Sequence, residues 1–156
     1  MAIPDTESIL CELKDYLAFR ATNPGFRLSE YAWHKLTPDL LVSTIAILWP
    51  KFVMHHGGVF FEEGFSEEAF QKWMAHFDGD VHKAERLMNH QHVRDLIHSE
   101  NRLSDSVVRY LGAALVCFWE AAINSQFPNL SVVVTSEWDA ENNDVMVLIY
   151  QNESRS

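Results

Sequence analysis

The stretch SDSVVRYLGAALVCFWEAAINS, residues 104–125, decides the fold of this 156-residue chain. Ser104 and Asp105 supply an N-cap and an acidic first turn. Beyond them Val107, Val108, Tyr110, Leu111, Leu115, Phe118, Trp119 and Ile123 cover most of the helix circumference. Only Ser106, Arg109, Glu120 and Asn124, with Ala113 between them, form a narrow polar strip. A helix this apolar is wrapped on nearly every side, so the spacing predicts a central buried helix over about 105–125.

Working outward, residues 130–138 and 144–151 are β-branched runs separated by Asp139-Ala140-Glu141-Asn142-Asn143, which predicts a C-terminal antiparallel hairpin. Upstream, Asp5 caps an amphipathic helix to about Ala21, with Ile9, Leu10, Leu13, Tyr16 and Leu17 on one face. A short helix is expected over 29–36. Thr37-Pro38 then starts a helix to about Trp49 that is apolar almost all round and is therefore expected to be buried on most sides. Residues 51–55 and 59–62 flank His56-Gly57-Gly58 as a hairpin, and Ser66 caps a helix carrying Phe70, Trp73, Met74 and Phe77. After Asp78-Gly79-Asp80 the apolar phase reverses between Met88 and Val93, predicting a break at 89–92 and a second short helix to about Ser99.

Helices first and strands last, without regular alternation, predict an α+β fold. The expected unit is a single domain over 1–151, with five or six helices around the central helix on a small antiparallel sheet. A short disordered tail is expected over 152–156.

Composition narrows the function classes. An apolar content of 47% supports one folded core. Twelve basic against 22 acidic residues give a formal charge of −10, which disfavours nucleic acid and anionic membranes as partners. The N-terminus has no basic flank before an apolar stretch, and Cys11 and Cys117 show no disulfide or zinc spacing, so a soluble cytoplasmic protein with reduced thiols is expected. No phosphate-binding glycine loop or nucleophile elbow is present.

Seven of the eight histidines fall between His55 and His98. Protonating all eight would move the formal charge from −10 to −2, so pH sensing is one reading. Metal binding is another. His82 and Glu85 lie three apart on one helix, and Asp95 and His98 three apart on the next, so helices folded back at 89–92 would bring four ligands to one divalent transition metal, with His90 or His92 at the joint. Dispersed surface histidines explain the same spacing. His55 and His56 beside Gly57-Gly58, facing Glu62 and Glu63, form a second candidate or simply a polar turn. Arg109 and Glu120 return to within about 20° of one another on the central helix but about 16 Å apart along it. With Cys117 they are either the floor of a cleft or the exposed strip of a buried helix.

The leading expectation is binding without catalysis, through a protein partner or homo-oligomerisation. Its motive is an aromatic surplus, Trp33, Phe60, Phe61, Phe65, Trp73 and Trp138, beyond what one core takes. The alternatives are a metal-dependent, hydrolase-like enzyme using residues 82–98, and a small-ligand pocket between the central helix and the sheet.

Overall fold

The computed structural model describes residues 4–97 and 103–151. It has the α+β fold, with six α-helices, two 3-10 turns and two small antiparallel sheets among those residues. Helix α6, Asp105–Gln126, is the axis, and Ser104 caps it by accepting from the Val107 amide. Strands β4 (Val132–Asp139) and β5 (Asp144–Gln151) pair in full register, from Val132 opposite Gln151 to Asp139 opposite Asp144. Strand β5 is the middle of its sheet, because the two-residue β3, Gln91–His92, pairs along its other edge.

Alternation sets the packing. Val145, Val147 and Ile149 of β5 belong to the core formed with Val108, Leu115, Val116, Trp119 and Ile123 of α6. Gly112 lets the helix lie close, since a β-carbon there would come within 2.5 Å of Val145. Length and hydropathy alone would let α6 cross a bilayer. Nine of its residues are instead buried, six of them in this core.

The second sheet is the hairpin of β1 (Phe52–His55) and β2 (Gly58–Phe61). His56 and Gly57 both take positive φ, 49° and 86°, which suits the primed two-residue turn. Helix α4 is Glu67–His76, capped by Ser66, and α5 is Val81–Met88, capped by Asp80. Lys83 and the backbone amides beneath it hold the Asp80 carboxyl below its ordinary value, the side-chain hydrogen bond being the largest cause.

Three expectations are corrected. The first helix divides into a 3-10 turn, Thr6–Glu12, and α1, Lys14–Thr22. Tertiary bonds hold the turn to α6: Thr6 shares a 2.7 Å hydrogen bond with Tyr110, and the Ser106 hydroxyl donates to Glu12 at 2.6 Å. The break at 89–92 is present, but β3 and a 3-10 turn over Val93–Leu96 follow it instead of a helix, because Gln91 and His92 find strand partners in Val147 and Met146. The third concerns α3, Pro38–Leu48. Thr37 caps it as expected, yet none of its residues is buried. Its main neighbour is α6, where the Trp119 indole donates to the Ile47 carbonyl at 2.8 Å. The expected tail, 152–156, lies outside the described residues, as do 98–102.

Candidate functional site

Glu85 on α5 and Asn89 at its C-terminal cap sit one turn apart, fully or almost fully buried. Glu85 accepts from the Val59 amide at 2.7 Å and from the Gln151 amide at 2.8 Å. Asn89 accepts from the Phe61 amide at 3.3 Å and donates to the carbonyls of Val59, at 2.6 Å, and Ile149, at 3.3 Å. The outer edge of β2 and the β5 edge beyond β3 thus meet through two side chains standing in for an intervening strand. An edge so occupied has its backbone groups satisfied, which buried amides and carbonyls require.

That assignment fixes what the expected metal residues do here. His82 Nδ1 lies 3.9 Å from Glu85, whose oxygens already serve backbone amides. Asp95 is exposed on the second 3-10 turn, and His98 lies outside the described residues. His90 Nδ1 bonds the Leu87 carbonyl. His92 sits between Asp144, at 3.6 Å, and Asp139, at 4.0 Å. Among the described residues no three such side chains are placed to hold one metal ion. His55 meets Glu67 at 2.9 Å, rather than Glu62 or Glu63, and packs its ring on Phe65 and Phe70.

Arg94 is a structural clasp that the sequence did not advertise. Its amide donates to Asp144, its Nε to the Asn143 carbonyl and its guanidinium to the Leu103 carbonyl and Asp105, tying the second 3-10 turn to the β4–β5 loop and the start of α6. Asp139 shapes that loop by accepting from Asn142 and the Glu141 amide, and the Asn142 side chain is the chief cause holding its carboxyl below the ordinary value.

The expected cleft residues also have structural surroundings. The Arg109 guanidinium lies 4.0 Å from the Trp138 ring centroid, covering the outer hairpin. Glu120 and Cys117 are half-buried farther along α6. Between α6 and β5, Gly112 lies directly against Val145, so the helix and sheet are in close contact at that point.

The aromatic surplus resolves largely inward. Phe60 is buried, Phe61 packs on Trp119 and Phe52, Phe65 on Phe60, and Trp73 on Phe77. Trp33 stays outside at 77% exposure. The true surplus is aliphatic. Among the described residues, eight of the eleven large apolar side chains that remain exposed lie between Trp33 and Trp49, on α2 (Leu28–Lys35), α3 and their flanks. Rings of Tyr16, Phe19, Tyr31 and His34 hold α2 against α1, leaving this face outward.

No protein-family model, curated protein or solved structure matches the chain, and its function rests on this geometry.

Proposed function

We propose that this protein acts by binding, and that it assembles with a second copy of itself through α2 and α3. One observation carries the reading: residues 40–48 form nine consecutive uncharged positions on a helix with no buried residue, among them Val42 at 67% exposure. At roughly half exposure, the eight side chains from Trp33 to Trp49 total on the order of 800 Å² of exposed apolar surface, of which Leu41, Val42 and Ile45, within about 100° of one another on α3, form one face.

A second copy is the favoured occupant because α3 beyond Asp39 offers no charge for a differently charged partner to read. An uncharged aliphatic patch is complementary to itself across a two-fold axis, the commonest oligomer symmetry. The formal charge of −10 on each copy opposes association, so added salt strengthens it by screening. A face recognised through complementary charge weakens in salt. The free thiols of Cys11 and Cys117 fit a cytoplasmic setting.

Size exclusion with light scattering tests the proposal. The wild type runs at two chain masses and the Leu41→Glu/Ile45→Glu variant at one. A wild type that stays at one chain mass at its highest attainable concentration, or a variant that still pairs, overturns it.

A further inference from the structure

The outer face of β5 holds a second feature, independent of α3. A cavity of about 370 Å³ opens between α5 and the β5 side chains that point away from α6. Its floor is apolar: Phe77 from the end of α4, Leu87 from α5, and Met146 and Leu148 from β5. Every ionisable side chain that lines it is basic or a histidine, namely Lys83, Arg86, His90 and His92. In a chain of formal charge −10 this rim gathers two of the twelve basic side chains at one apolar opening.

We infer that this cavity binds a small amphiphilic carboxylate, with its apolar body on Met146 and Leu148 and its anionic head at Lys83 and Arg86. The volume lies in the range of small-molecule sites, and a largely apolar wall with a few polar groups at one side is their usual make-up. The two cations have acidic neighbours, Asp80 at 3.0 Å from Lys83 and Glu137 at 3.4 Å from Arg86. Both pairs are solvent-exposed, with side-chain exposures of 65% and 31% in the first and 48% and 53% in the second. Pairs in water hold their partners weakly, which leaves both cations able to meet a carboxylate. Arg86 is further positioned by Tyr150, its guanidinium lying 4.8 Å from the ring centroid. A planar fork so held suits bidentate carboxylate recognition.

Titration with decanoate, followed through the methyl resonances of Leu87, Met146 and Leu148, tests this. Saturable shifts at those methyls are expected, with weaker binding of decanol and roughly tenfold weaker decanoate binding by Lys83→Gln/Arg86→Gln. The double variant alters exposed side chains only, and its unchanged spectrum elsewhere reports an intact fold. Three results overturn the inference: no saturable shift at the cavity methyls, decanol binding as tightly as decanoate, or undiminished binding by the double variant. Shifts confined to Leu40 and Leu41 overturn it too, by placing the ligand on α3.

Discussion

Helices α3 and α6 are the two most apolar in the chain, and their surroundings are opposite. Helix α6 is covered by β4 and β5, with Phe61 of the β1–β2 hairpin against Trp119, so Trp119, Ile123 and Val116 are all but inaccessible to solvent. Helix α3 touches α6 through Leu48 and the Ile47 carbonyl, and its remaining apolar side chains face outward. Apolar periodicity states how much surface a helix needs to bury. It does not state whether the cover comes from the same chain.

Breaking α6 should have the largest effect. Trp119→Ala removes a fully buried indole and its bond to Ile47, and should destabilise the fold by about 3–5 kcal/mol in denaturant unfolding. Val42→Ala, at the exposed end of the comparison on α3, should change the stability of the dissociated chain by less than about 0.5 kcal/mol. Equal losses at the two sites would erase the distinction between a core helix and an interface helix.

Glu85→Ala should come next, at roughly 2–4 kcal/mol, because it orphans the Val59 and Gln151 amides in the interior. Zinc, manganese and nickel should leave the wild-type Tm unchanged, since the Glu85 oxygens are engaged. A large metal-dependent rise that His82→Ala abolishes would instead make Glu85 a ligand.

The smallest effect is electrostatic and lies outside α3. Asp80 and Asp139 are held below their ordinary value of 3.8, so the stability they contribute is present above that pH and is lost as pH falls through their lower folded values. Asp80→Asn and Asp139→Asn should therefore flatten the acid limb of the stability curve, measured by urea unfolding from pH 5 to pH 2. A steeper limb in the variants would reverse the sign of this contribution.

Much of the fold was legible because its signals are local. Ser104, Ser66, Thr37 and Asp80 act as caps, and the β-branched runs around Asp139 to Asn143 pair as a hairpin. The reversal of phase after Met88 marked the end of α5. What followed was not legible, because a two-residue strand is specified by partners more than fifty positions away. Glu85 and Asn89 did leave a trace. At 100° per residue Glu85 falls about 40° from Val81, inside the inward sector with Ala84 and Met88, a place where a carboxylate needs amide donors. Helix α3 was misread for a different reason: its periodicity demands burial, and the chain by itself does not supply it.

Hydrogen exchange along α3 and α6, measured on concentrated and diluted protein, tests the self-association of α3 most directly. Amides of residues 42–48 should exchange slowly when concentrated and rapidly on dilution, while those of α6 from Val116 to Ile123 stay protected throughout. Exchange in α3 that is indifferent to concentration, with the protein at one chain mass under both conditions, would contradict it.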